Sequence, residues 1–447
     1  MAVFSFINKS KLEGAKRLDA EYYQPEYLDL EQKLNAVDTK TIEEVSTSVV
    51  SFGAYSLTSF IEWQESGVPY VNVGDIHDGY IDTSNIKHIS EKVDEILKKS
   101  RVTNGQVLLT MAGTIGNAAV AHNLPRHMNA NQAIAKITPF VISPYYLAAF
   151  LNSKYGLLQT QREIVSSVQA NIFLGPIKKF KVPIFDSKSM TEIGSKYQDF
   201  LTALEHSQTL YSQAEEMLLE ELGLIDFAAD GELWNVVYLS EAKAAGRMDA
   251  EYFQPKYKKL LSFLSGKAKP LVEIARKVKR RTEIQPQRGY HYIEISNVNV
   301  GNGEVVSHPL VGKELPASAK IKIIGGELLV STVRPPRGAV AIVPDGWKKD
   351  VMASGAFAVF DVPSPTREYL QVVLRSIVGK LQMERPATGT AYPTITDNDI
   401  EDILIPLLSE QTQQKIAELV RASHEARKKS KELLEGARRR VEAMVEH

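Results

Sequence analysis

The chain has no cysteine. Disulfides and thiolate metal sites are therefore excluded, and a reducing cytoplasm is the expected compartment. Nowhere do the apolar residues run on for ~18 positions, so no membrane-spanning helix and no membrane partner are expected. The opening, Met1-Ala2-Val3-Phe4-Ser5-Phe6-Ile7, lacks the basic and long apolar regions of a signal peptide. Net charge is also scarce, at −1 over 447 residues. Any surface that binds nucleic acid must then be a local basic patch.

Catalytic signatures are missing too. There is no G-x-x-x-x-G-K-S/T phosphate loop and no G-x-G-x-x-G following a strand. Nor is there the Asn/Asp-Pro-Pro-aromatic tetrapeptide expected of an adenine-N6 methyltransferase. Pro344-Asp345-Gly346-Trp347-Lys348 lacks the second carboxylate of a nuclease pair and reads as a surface turn. His122 and His127 have no third ligand near them in sequence, so no metal site is expected.

What the chain does have is a repeat. Lys16-Arg17-Leu18-Asp19-Ala20-Glu21-Tyr22-Tyr23-Gln24-Pro25-Glu26-Tyr27 returns 230 positions later as Gly246-Arg247-Met248-Asp249-Ala250-Glu251-Tyr252-Phe253-Gln254-Pro255-Lys256-Tyr257. Solenoid units run roughly 20–50 residues, so this period marks duplication of a whole domain. The carboxylates Asp19 and Asp249 each follow an arginine by two residues, which predicts local ion pairs rather than acid–base chemistry. Later blocks recur as well: Tyr70-Val71 as Tyr292-Ile293, Leu108-Leu109 as Leu328-Leu329, Ala119-Val120 as Ala339-Val340, Tyr146-Leu147 as Tyr369-Leu370, and Pro183 as Pro406. Single helices are expected over 145–161, and a strand over 177–184.

Each copy closes on a long proline-free stretch. Ile193, Tyr197, Phe200, Leu204, Ser207, Tyr211, Ala214, Leu218 and Leu222 recur at three and four residues. This heptad spacing predicts a coiled-coil seam on a helix about 50 Å long. The second stretch, about 410–446, predicts a seam of Ile416, Leu419, Ser423, Ala426, Ser430, Leu433, Ala437, Val441 and Met444.

The strand-and-loop parts, about 46–140 and 276–362, differ most between the copies and hold the candidate DNA-binding residues. In the second copy these are Lys279, Arg280 and Arg281 of the run Arg276–Arg281, then Arg288, Arg334 and Arg337; Tyr392, beyond the variable part, is a further candidate. Lysine and arginine neutralise phosphates, and arginine can fork onto guanine O6/N7. Charge alone leaves a solvated basic face open. The first copy offers Tyr55, Asn72, Asn117, Arg126 and Asn131, which have the hydrogen-bonding groups that base edges require.

Particular residues also resemble a known family. They are Gly389-Thr390-Ala391-Tyr392-Pro393-Thr394-Ile395, then Asp399-Ile400 and Ile403-Leu404-Ile405-Pro406-Leu407, with Glu410-Gln411 opening the last helix. Gly67-Val68-Pro69-Tyr70-Val71 with Gly74-Asp75-Ile76 and Gly79 joins them. In this order, and duplicated, they resemble the specificity (S) subunit of type I restriction–modification enzymes. The first copy departs in having Ser187-Lys188 for the Glu-Gln pair and Val168-Gln169-Ala170-Asn171 for the Thr-Ala-Tyr-Pro-Thr run.

The resemblance implies an α/β fold with a tandem duplication. Its parts are a first target-recognition domain over 1–186, a spacer helix over 187–223, a second recognition domain over 224–407 and a second spacer helix over 408–447. The helices would pair as an antiparallel coiled coil. The chain would be a non-catalytic reader of a bipartite, asymmetric site on double-stranded DNA and would bind no cofactor itself. Two modification (methyltransferase) subunits would carry S-adenosylmethionine. Restriction (motor-nuclease) subunits would use ATP and Mg. A methyltransferase with an unrecognised motif and a coiled-coil scaffold that never meets DNA are the two rival readings.

Overall fold

The computed structural model describes residues 4–10, 12, 17–52, 61–165, 170–227, 234–347 and 350–447. Tyr55, with Lys16, Val168, Gln169 and Lys348, lies outside them. The chain divides into two units, Met1–Glu205 with Ala426–His447, and His206–Glu425.

In the first unit a 3-10 turn, Ala20–Tyr23, leads into the helix Pro25–Ala36. Pro25 suits the first helical position, where its missing N–H has no partner to lose. Tyr27, Leu30 and Leu34 bury one face of this helix. A four-stranded antiparallel sheet follows in the order Ser46–Val50, Ile134–Pro139, Val107–Thr110, Ala118–Val120. A second sheet runs Trp63–Gln64, Lys87–Ile89, Val68–Val71, Met128–Ala130, Arg101–Val102. Its central pair, Val68–Val71 and Met128–Ala130, is parallel.

The second unit repeats this order. Arg276–Lys277, Phe357–Asp361, Leu328–Ser331 and Val340–Ile342 form one antiparallel sheet. His308–Val311, Gly289–Ile293, Val351–Ser354 and Ala319–Ile323 form the other, again with a parallel central pair. Thus the divergent segments share the order of eight strands, and the copies differ in the loops between strands and in the edge strand Trp63–Gln64, which only the first unit's five-stranded sheet has among the described residues. Backbone pairing tolerates side-chain change as long as the buried alternation is kept.

Equivalent hydrogen bonds carry the repeat through the helical layer. The hydroxyl of Tyr146 donates to Pro183 O at 2.7 Å, and that of Tyr369 to Pro406 O at 2.8 Å. Gln159 brackets Lys181 with two bonds, and Gln382 does the same to Leu404. Arg17 pairs with Asp19, and Arg247 with Asp249, each at 2.6 Å. These are the ion pairs the sequence predicts.

One register expectation is corrected. Gly105 (φ 85°) donates its N–H to Ala121 O, and Gly326 (φ 89°) donates to Val343 O. That match puts Leu108 on Leu329, not Leu328, and Ala118 on Val340. Leu108 and Leu329 then both face the cores between the sheets, while Leu109 and Val330 face the helical layer. A one-residue slip would reverse those faces.

Other local expectations change as well. The helix expected over 145–161 is two, Pro144–Leu151 and Lys154–Arg162. At the break the Asn152 amide exchanges hydrogen bonds with the backbone of Ala118, at 3.1 and 2.8 Å. The strand expected over 177–184 is a short helix, Leu174–Lys178, followed by the strand Lys181–Pro183.

The long helices span Ser187–Leu222 and Glu410–Glu446. The first seam lies as expected, with Ile193, Tyr197, Phe200, Leu204, Ser207, Tyr211, Ala214 and Leu218 buried. The second seam is displaced by one residue at alternate positions: Val420, Arg427, Leu434 and Val445 are buried in place of Leu419, Ala426, Leu433 and Met444. Leu419-Val420 and Leu433-Leu434 fit either phase, so the pair Ala426-Arg427 decides. The arginine can lie in the seam because its guanidinium donates to the Tyr80 hydroxyl at 3.2 Å. In the first unit Phe200 and Leu204 share a core with Leu434, Ala437 and Val441. In the second, Tyr211, Ala214 and Leu218 share one with Ile416 and Val420, and the hydroxyls of Ser207 and Ser423 lie 3.2 Å apart. Lower numbers on one helix meet higher numbers on the other, as in an antiparallel pair.

Candidate nucleic-acid interface

The basic run of the second unit begins on the edge strand Arg276–Lys277 and continues into a loop. Much of its charge is matched by acids from distant sequence. Arg276 pairs with Asp361, and Lys277 sits between Asp397 at 2.9 Å and Glu401 at 2.5 Å. Burial tends to lower the Lys277 pKa, but hydrogen bonds to both carboxylates outweigh it and hold the ammonium above its ordinary range. Arg280 pairs with the buried carboxylate of Glu327. Arg288 forks onto Asp350 at 2.8 and 2.9 Å. Lys279 and Arg281 remain exposed, with no side-chain partner among the described residues. The free cationic patch is therefore smaller than the sequence run.

A second cluster joins residues far apart in sequence. The turn Arg334-Pro335-Pro336-Arg337 links two strands of the antiparallel sheet. Arg334 adopts a left-handed backbone (φ 49°), and its N–H donates to Pro393 O at 2.7 Å. Its guanidinium lies 4.1 Å from the centroid of the Tyr392 ring and donates to Ala391 O at 3.1 Å. Tyr392 is 67% exposed. Arg337 is exposed and without a side-chain partner among the described residues. An exposed ring backed by a cation can stack a base, and the free N–H groups of Arg334 and Arg337 can take phosphate oxygens.

In the first unit the sequence candidates are spread out and mostly tied into the fold. Asn72 precedes the turn Val73–Asp75 and donates its backbone N–H to the Asp75 carboxylate at 2.7 Å. The Asn117 amide donates to Ile76 O at 3.0 Å. Arg126 makes two bonds to Glu91, at 2.8 and 3.1 Å. The side-chain oxygen of Asn131 accepts from Ala133 N at 2.8 Å. His127 and His122 serve separate contacts: His127 lies 3.0 Å from Asp94, and His122 lies 2.8 Å from the Tyr145 hydroxyl. Among the described residues no group of three acidic or histidine side chains is placed to hold a metal ion.

Asp94 organises the back of this unit's recognition sheet. Its carboxylate is buried and accepts from Arg101 at 2.6 and 2.9 Å and from Asn129 at 2.9 Å. Burial pushes its pKa up, but the bonds from Arg101, Asn129 and His127 prevail and keep it below the ordinary aspartate range. On the exposed edge of the same sheet lies a pair the sequence reading missed. The Lys87 ammonium sits 4.7 Å from the Trp63 ring, which is 47% exposed and meets Tyr70 edge-on at 5.3 Å. Among the described residues each unit thus presents an exposed aromatic with a cation over its face, at places that do not correspond in the two strand orders. The available signal was a tryptophan placed just before the strand Val68–Val71.

Residues 36–216 match the family model described as the type I restriction modification DNA specificity domain. The specificity subunit of the EcoBI type I restriction enzyme from Escherichia coli is 28% identical over 134 residues. That match spans 29% of this chain and 27% of the E. coli subunit. A relative from Methanocaldococcus jannaschii, which carries the name of the MjaX type I restriction enzyme specificity subunit, is 21% identical over 400 residues. It covers 84% of this chain and 85% of its own length. The crystal structure of a type I restriction-modification S subunit from M. genitalium aligns with 92% of this chain and 96% of its own at 12% identity, with a TM-score of 0.42.

Proposed function

We propose, from the match of residues 36–216 to the type I restriction modification DNA specificity domain, that the chain is a specificity subunit and reads a split, asymmetric site on double-stranded DNA, one half per unit. As a specificity subunit it is a non-catalytic component of its system. The observation that carries the reading is the repeated strand order bearing unlike loops. Two units built on a common frame present different side chains on their loops and edges, so they would recognise different sequences. In the second unit Lys279, Arg280, Arg281, Arg288, Arg334, Arg337 and Tyr392 form the proposed contact set. In the first, Asn72, Asn117, Arg126 and Asn131 are proposed, with Trp63 and Lys87 added.

The functional division we propose is 1–186 and 224–407 for reading, and 187–223 and 408–447 for spacing. A helix of 36 residues is about 54 Å long, comparable to one and a half turns of B-DNA. Such a spacer leaves unread base pairs between the halves. Modification subunits would supply methyl transfer with S-adenosylmethionine, and restriction subunits would supply ATP- and Mg-dependent cleavage.

The test is a loop exchange. Replacing 276–362 with the corresponding segment of another specificity subunit, in a complex with the modification subunit, should change one half of the methylated sequence and leave the other. Unchanged methylation would refute the reading and favour a scaffold. Methyl transfer by the purified chain alone would favour an enzyme.

A further inference from the structure

We propose that the turn Ile76–Ile81 of the first unit is a positioning element that fixes the permitted number of base pairs between the two half-sites; this rests on the split-site reading above. The turn closes between Ile76 and Ile81, with His77 N–H donating to Tyr80 O at 3.0 Å. One side of it is bound to the sheets. Asn117 donates to Ile76 O, Gly79 bridges to Ala119, and Asp82 N–H donates to Asp75 O at 2.8 Å.

The other side rests on both long helices. The buried Tyr197 hydroxyl donates to Gly79 O at 2.5 Å. Gly79 has φ +88°, and a Cβ there would stand 3.1 Å from both Leu434 Cδ1 and Phe200 Cε1. Arg427 donates to the Tyr80 hydroxyl, with its guanidinium 5.3 Å from the ring centroid. Arg438 pairs with Asp78, one of its bonds measuring 3.0 Å. Three successive residues, Asp78 to Tyr80, with Ile76 behind them, therefore connect the recognition sheet to the helix pair.

The corresponding turn of the second unit, Val298–Val305, is held differently. Arg375 donates to Val300 O at 3.0 Å and Gln371 to Gly303 O at 3.4 Å, both from the helix Thr366–Arg375. The first unit's turn meets the long helices directly through Tyr197, Arg427 and Arg438, whereas the second is joined to Tyr211 by way of Arg375, whose guanidinium lies 5.2 Å from that ring. B-DNA turns once in about 10 base pairs, so a change of one base pair in spacing rotates a half-site by roughly 35°. A sheet clamped to the helix pair meets only one phase. A sheet freed from it follows neighbouring phases.

The experiment uses the complex of this chain with its modification subunit and DNAs whose two halves are separated by a graded number of base pairs. The wild type should methylate one spacing. Arg438→Ala and Gly79→Ala should each narrow the preference for that spacing over its one-base-pair neighbours by roughly fivefold, the scale of one lost ion pair or contact. The double exchange Asp78→Arg with Arg438→Asp should restore the preference. Retention of the wild-type preference in both single variants would overturn the proposal. So would an equal fall at every spacing that the exchange does not reverse, because that marks a purely structural role. A wild type that methylates a continuous site would instead refute the split-site reading itself.

Discussion

Asp94→Asn tests how the first unit's recognition sheet is held. The substitution keeps the shape and removes the charge that Arg101, Asn129 and His127 share. Breaking a buried ion pair costs about 3–5 kcal/mol. Arg101 is one-third exposed and already holds Glu95 at 2.7 Å, so part of its charge stays compensated. The expected loss is about 2–3 kcal/mol, or roughly 5–10 °C in the melting of a unit of this size. The sign with pH follows from the depressed pKa. An unfolded aspartate titrates near about 3.9, while the folded one holds its charge to lower pH. The stabilisation is full above the unfolded value and disappears as pH falls through the folded one. Thermal melts of both proteins from neutral pH down to about pH 3 should show the gap narrowing with acid. Equal melting at neutral pH, or a gap that widens on acidification, would refute the reasoning.

Two further outcomes are expected. Arg334→Ala and Tyr392→Ala should each weaken DNA binding by the assembled complex by about 1–3 kcal/mol, whereas Arg276→Ala, whose charge is matched by Asp361, should leave it within error; fluorescence anisotropy against salt separates them. Burial lowers the Lys136 pKa to about 8, with its ammonium donating to the carbonyls of Lys99 and Arg101. The unfolded lysine keeps its proton to about 10.4, so wild-type stability should rise between those pH values, and Lys136→Met should abolish that rise in denaturation measured across the range.

The duplication was legible because its markers are specific in identity: Arg17-Leu18-Asp19 and Gln24-Pro25 recur almost unchanged. The first helix seam was legible because its large apolar residues fit only one phase. The second was misread at four positions because Arg427 was assigned to solvent; its partner Tyr80 lies 347 residues earlier. The basic run overstated the free charge for the same reason. Glu327, Asp350, Asp361 and Glu401 meet it only through sheet and helix packing. Arg334 and Tyr392 were both named, but their stacking depends on a loop closure the sequence does not display. Trp63 and Lys87 went unpaired because strand register alone brings them together.

Methylome sequencing of cells carrying this chain with its modification subunit tests the central claim most directly. One methylated motif made of two different short halves around a fixed unread gap is the predicted result. A continuous motif, a motif with identical halves, or no new methylation would contradict it.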